Sequence, residues 1–151
     1  MLTKNKGIDL YGVVCIQING VDVSTLIDWD DVDLMWTALL TMVSEYVDDG
    51  KYSETQLFTN PLEWSIKKIQ SSPKDLVLFR VFRKSALFDL RTDLPVSKET
   101  RVSCNEIDFL NAVVIAGEKY IVFRDEDTRS HNLIEAKRLL KDLKSEMKNI
   151  Y

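Results

Sequence analysis

Histidine, cysteine, glycine and proline are all scarce in this chain, and each scarcity removes a class of function. A histidine metal site needs two or three imidazoles, and His131 is the only histidine. Any Ser–His–Asp or Cys–His centre has to use that same residue. It falls in a charged turn at a helix start, where a solvated imidazole is the ordinary role. Cys15 and Cys104 sit among apolar or β-prone neighbours without paired spacing, which makes neither a disulfide framework nor a zinc site. Gly7, Gly12, Gly20, Gly50 and Gly117 are dispersed, so no G-x-G-x-x-G or Walker cradle for phosphate exists. No apolar run reaches the ~18 residues of a membrane span. Met1–Gly7 lacks the apolar core of a signal peptide. The expectation is a cytoplasmic protein with no membrane partner, no cofactor, no metal and no catalytic residues.

What is present is one domain's worth of ordinary globular sequence. With 45% hydrophobic and 29% charged residues, the disordered and fibrous classes are excluded. A chain of 151 residues buries about 68–70% of its unfolded surface, so residues 1–151 are read as a single domain, with 1–7 frayed. Net charge is −4 but unevenly spread. Residues 1–63 hold three basic and eleven acidic side chains, and residues 64–151 hold seventeen basic and thirteen acidic. An acidic surface repels nucleic acid and attracts basic partners.

Hydrophobic periodicity then places the elements. Asn19-Gly20 between β-branched runs is the strongest short hairpin signal, because a type I′ turn needs two residues with positive φ. Leu10–Val23 is therefore a hairpin. Val32, Met35, Trp36, Leu39, Leu40, Val43 and Val47 recur at helical spacing, with acids in the first turn and Gly50 placed for a left-handed cap. This predicts a helix over Asp31–Asp49. Lys51–Pro61 reads as a polar connection. Leu62–Ile69, Leu76–Arg83, Ala86–Arg91 and Glu99–Ser103 read as an antiparallel meander, with Leu76–Phe82 apolar on both faces and so central. Ser103-Cys104-Asn105-Glu106 matches a capping box before a helix from Asn105 to about Phe123. That helix is apolar nearly all round and is expected to be the most buried, although β-branched runs at 112–115 and 121–123 also fit a strand. Asn132-x-x-Glu135 caps a last helix whose seam is Leu133, Ala136, Leu140, Leu143, Met147 and Ile150. The fold class is α+β: a mainly antiparallel sheet, hairpin plus meander, with three helices packed mostly on one face.

The acidic stretch around Asp28, Asp30, Asp31 and Asp33 is the one candidate site. A calcium loop wants oxygens at positions 1, 3 and 5, glycine at 6 and glutamate at 12. Counted from Asp28, positions 5, 6 and 12 are Val32, Asp33 and Leu39, so the motif fails. Helix capping or a partner-binding patch remains. Trp36 and Trp64 fall on apolar faces. Trp29 either staples the hairpin to the helix or anchors an interface beside the carboxylates. Lys137, Arg138, Lys141, Lys144 and Lys148 are interleaved with Glu135, Asp142 and Glu146, the pattern of a solvated helix face rather than a nucleic-acid site.

The element order resembles a known class. A short hairpin, an acidic helix carrying Trp36, the Asn60-Pro61-Leu62-Glu63-Trp64 entry to a meander, a capped apolar helix and a charged final helix are similar to the small immunity proteins of bacterial polymorphic toxin systems. The likeness is one of size and element order over most of the chain, and it brings no family site residues. It implies a non-enzymatic inhibitor that binds one toxin domain and blocks it. The expected docking face is acidic, Asp22, Asp28, Trp29, Asp30, Asp31 and Asp33 with Asp48 and Asp49, and suits a basic toxin domain. Two alternatives stand beside it. One is a small-ligand protein or enzyme with a pocket between sheet and helices, where Arg80, Tyr120 or Cys104 converge. The other is a structural subunit that dimerises through the last helix's seam.

Overall fold

The computed structural model describes residues 11–12, 14–24, 30–57, 62–83, 88–89, 94–95, 98–124 and 131–151. In chain order the first elements are short strands: β1 (Tyr11–Gly12), β2 (Ile16–Ile18), β3 (Val21–Ser24) and β4 (Asp30–Asp31). Asn19 and Gly20 hold φ of 51° and 78°, the paired left-handed residues expected of the turn that folds β3 back onto β2. β1 pairs antiparallel with β4, which delivers the chain to α1 (Val32–Asp49). Asp31 caps that helix by accepting from the Leu34 N–H at 2.8 Å. Gly50 ends it at φ 71°, with its N–H donating to the Tyr46 carbonyl. Met35, Leu40, Met42, Val43 and Tyr46 are almost fully buried, so the apolar stripe read from the sequence is the core-facing side.

The main sheet has four antiparallel strands. β5 (Tyr52–Gln56), β6 (Leu62–Gln70) and β7 (Leu76–Arg83) follow one another, and β10 (Glu99–Asn105) closes the far side. Two expectations change here. The stretch expected as a polar connection contains β5, an edge strand whose Ser53 turns inward and whose Tyr52, Glu54 and Gln56 meet water. A polar edge strand carries no hydrophobic signal, and charge on an edge discourages pairing with other chains. Of the strand expected at 86–91, residues 88–89 are described, and they lie outside the sheet. Among the described residues β8 (Phe88–Asp89) pairs with β9 (Leu94–Pro95), and β10 takes the place beside β7. The excursion is pinched at its base, where the Arg83 N–H donates to the Lys98 carbonyl at 2.7 Å.

Alternation sorts the sheet's two faces. Leu62, Trp64, Ile66, Val77, Phe79 and Val81 are fully buried on one face. Each such large side chain contributes roughly 1.5–3 kcal/mol by leaving water. The opposite face is mixed and half-buried, with Leu78 and Phe82 beside Arg80 on β7; Arg80 reaches Glu63 at 3.1 Å and also Glu99, and its guanidinium lies 4.7 Å over the Phe82 ring. β7 is central, as its two-sided apolar sequence predicts.

α2 (Glu106–Arg124) starts where β10 stops. The capping box is not formed. Ser103 still belongs to the β10 ladder, and Asn105 is the residue whose side chain accepts from the Asp108 N–H, at 3.2 Å. Glu106 turns inward instead of reaching back. The strand alternative at 112–115 and 121–123 is overturned, since both runs are helical. α3 (His131–Ile150) begins one residue before the expected Asn132 cap. It packs chiefly along α1 and also against α2. Its seam of Leu133, Ala136, Leu140, Leu143 and Met147 is buried inside the domain. That removes the seam as a dimer interface; only Ile150 is left exposed. The chain is α+β, with α1 against β5 and β6 and α2 against the end of β10.

Candidate functional site

The acidic residues expected to form one face are dispersed by the fold. Asp30 is fully buried and Asp33 is 4% exposed, so neither belongs to a docking surface. Asp30 accepts from the Asp31 N–H at 2.7 Å, and Asp31 is spent on the helix cap. Asp33 is gripped by Arg124, Nη2 at 2.7 Å and Nε at 3.1 Å, and also accepts from the Tyr120 hydroxyl. Burial, then that hydrogen bond, drive the Tyr120 phenol well above its ordinary value. Asp33 thereby fastens the start of α1 to the end of α2. Asp22 is exposed on the hairpin, where it accepts from Gln17 at 2.9 Å. Asp48 and Asp49 are exposed at the far end of α1. Asp28 and Trp29 lie outside the described residues.

A third buried carboxylate, whose sequence position suggested a cap, fastens the other end of the same helix pair. Glu106 is 2% exposed. Its oxygens accept from the hydroxyls of Tyr46 and Tyr151, the latter at 2.9 Å, and Lys68 Nζ stands 3.4 Å away. Burial first, and then Glu106, push both phenols upward. A glutamate in the first turn also complements the positive end of the helix dipole. Sequence offers no signal for this cluster, because its members are spread over Tyr46, Lys68, Glu106 and Tyr151.

With its ends fastened, α2 has a side that the rest of the domain does not cover. The expectation that it is the most buried helix is overturned: Ile115 is 53% exposed, Phe123 65% and Val122 76%. Only Phe109, Leu110, Val113, Gly117 and Glu106 turn fully inward. The layers beneath supply one covered face: Phe109 meets Phe79 at 5.4 Å between ring centroids, and Tyr120 stacks on Trp36 at 5.3 Å. Gly117 is buried where α2 meets α3, and a methyl group there would reach van der Waals contact with Leu140 at 3.4 Å.

Two grooves flank α2. One, of about 430 Å³, runs between α2 and α3 over Ile121 and Leu140, with Lys137, Lys141, Lys144 and Lys148 along its α3 side. The carboxylate of Glu118 crosses it to Lys144. The other, of about 320 Å³, lies between α2 and the strand Ile16–Ile18 and has both Cys15 and Cys104 in its wall. Burial, and secondarily Asp108, raise the Cys104 thiol's pKa, which disfavours the reactive thiolate. The expected convergence of Arg80, Tyr120 and Cys104 does not occur. Arg80 is engaged on the opposite sheet face and Tyr120 on Asp33. Among the described residues, no group of three or more His, Cys, Asp or Glu side chains could hold a metal ion, and no helix is long and apolar enough to cross a membrane. No protein-family model, curated protein or solved structure matches the chain.

Proposed function

We propose that this protein is a non-enzymatic binding module, an inhibitor of the immunity type that neutralises a bacterial toxin domain by covering it. One observation carries the reading: the outward side of α2, where Ile115, Val122 and Phe123 stand in water on a helix otherwise locked in place. Large apolar side chains exposed on one helix of a domain mark an interaction surface, and rigid display limits the entropy lost on binding. The partner is a protein, since a face presented on a helix with no enclosing walls suits a macromolecule rather than a small ligand.

A basic toxin domain has a narrower landing place than the sequence suggests. Asp48 lies close enough to Glu146 and Asp142 that, after burial, their charges raise the Glu146 carboxyl's pKa. A cationic partner relieves that repulsion, which favours this corner as a steering site.

The test is binding of wild type and of a Val122→Ser, Phe123→Ser variant to a secreted toxin-like domain encoded immediately upstream, followed by calorimetry. Hot-spot side chains contribute about 2 kcal/mol or more, so affinity should fall roughly thirtyfold. Unchanged affinity in a folded variant rejects the α2 face. A parallel Asp48→Asn, Glu146→Gln variant should slow association alone.

A further inference from the structure

We infer that the groove between α2 and α3 docks an acidic amphipathic helix of a protein partner. The inference rests on the binding-module reading and concerns a second contact, one acidic helix of the partner seated beside α2, distinct from the basic surface that meets Asp48 and Glu146. Its floor is apolar, Ile121 and Leu140, and its α3 side carries four lysines against the single carboxylate of Glu118. Lys137, Lys141, Lys144 and Lys148 follow helical spacing of four, three and four residues, so they stand in one row. On α2 the facing wall is Glu118 and Ile121. An occupant meets apolar side chains on the floor, and ammonium groups along the α3 wall. That pairing selects a ligand with leucine-like anchors on one stripe and carboxylates on the next, the pattern of helix-in-groove recognition. From Lys137 to Lys148 the row extends about 16 Å at 1.5 Å per residue, which matches about three turns of a bound helix.

Charge decides against the two rivals for this surface. Nucleic acid binding to single strands uses aromatic platforms and arginine beside lysine, and the groove lining has neither aromatic nor arginine. The acidic edge of a second copy's α3 is a weak match, because its Glu135 and Asp142 already hold Arg138.

The experiment uses the full chain and a labelled peptide of ~20 residues, above the length at which isolated helices are marginal, with leucines on one stripe and glutamates beside it. A second peptide carries lysine at each glutamate, and a thymidine oligonucleotide of similar length is the third probe. Fluorescence anisotropy should show the acidic peptide binding at least tenfold more tightly than the basic one, with the advantage shrinking as salt approaches ~1 M. A Lys141→Glu, Lys148→Glu variant, altered only at exposed positions, should reverse the preference. If both peptides bind alike and Val122→Ser weakens both, the acidic class is wrong while the binding-module reading stands. If neither peptide binds, the groove is wrong and the toxin-binding test decides the module reading separately. Tighter binding of the oligonucleotide, or a dimer of the protein alone that the charge-reversed variant dissolves, also overturns it.

Discussion

Replacing Asp33 with alanine should be the most damaging single change among the charged residues. The side chains of Asp33 and Arg124 are only 6% and 14% exposed, and they meet through two N–H donors. Removing one partner of a buried pair costs about 3–5 kcal/mol, because the remaining charge keeps its desolvation penalty. Arg124 retains some access to water, so the lower end applies, about 3 kcal/mol. Against a total stability of roughly 5–15 kcal/mol, that is a large share, and for a chain of this length it lowers Tm by roughly 6–12 °C. Urea unfolding with an unchanged m-value is the measurement. Tyr120→Phe, which deletes only a hydroxyl bonded to the same carboxylate, should cost about 1 kcal/mol. Asp33→Leu combined with Arg124→Met should recover most of the loss, since a buried pair replaced by apolar groups is often neutral. A loss below about 1 kcal/mol for Asp33→Ala, or additive single and double variants, would refute the assignment of this contact as the bolt between α1 and α2.

Three further outcomes follow from the same geometry. Gly50 holds φ 71° with open space where a side chain would stand, so Gly50→Ala should cost about 1 kcal/mol through backbone strain alone, read by thermal melting. Tyr46, Tyr120 and Tyr151 all have phenol pKa values raised above the ordinary 10.0 by burial and a carboxylate acceptor. Their contribution is complete below that value and lost as pH climbs above it; stability should fall through the alkaline range, and less steeply in Tyr46→Phe. On the acid side, Arg101 and Arg80 hold Glu99 down at about 2 from 4.5, so its contribution is present above pH 4.5 and lost toward pH 2; Glu99→Gln should flatten that part of a pH titration of unfolding.

Local rules decided some elements completely and others not at all. The Asn19-Gly20 turn, the Asp31-to-Gly50 helix and the two-sided β7 strand each depend on residues adjacent in sequence, and all three were legible. β5 was not, because an edge strand that faces water with Tyr52, Glu54 and Gln56 is stabilised by its ladder to β6 rather than by its own composition. The 86–91 stretch misled for the opposite reason: its apolar sequence fits a sheet, but its described part, β8, pairs with β9, and β10 runs along the length of β7. At the start of α2 the Ser-x-x-Glu spacing was genuine and still irrelevant, since continuing the β10 ladder through Asn105 satisfied the backbone first and freed Glu106 for Tyr46 and Tyr151. The exposed side of α2 was invisible because an all-round apolar helix reads as buried unless something else is known to lie next to it.

The charges of α3 show how a linear reading hides a surface. Lysines and acids alternate from 135 to 148, which reads as a mixed, solvated face. At 100° per residue, Lys137, Lys141, Lys144 and Lys148 fall within about 60° of one another, and Glu135, Asp142 and Glu146 gather roughly 150° away. The buried seam lies between these edges on the inward side. The lysine edge therefore turns toward the α2 groove, and the acidic edge turns toward Asp48 at the end of α1. A protein of net charge −4 thus carries a basic channel beside its largest exposed apolar side chains. Since screening confines each exposed charge to about one Debye length, ~8 Å, a segment entering the groove would respond to the nearby lysines and not to the net charge. That is why the occupant proposed for the groove is acidic rather than basic.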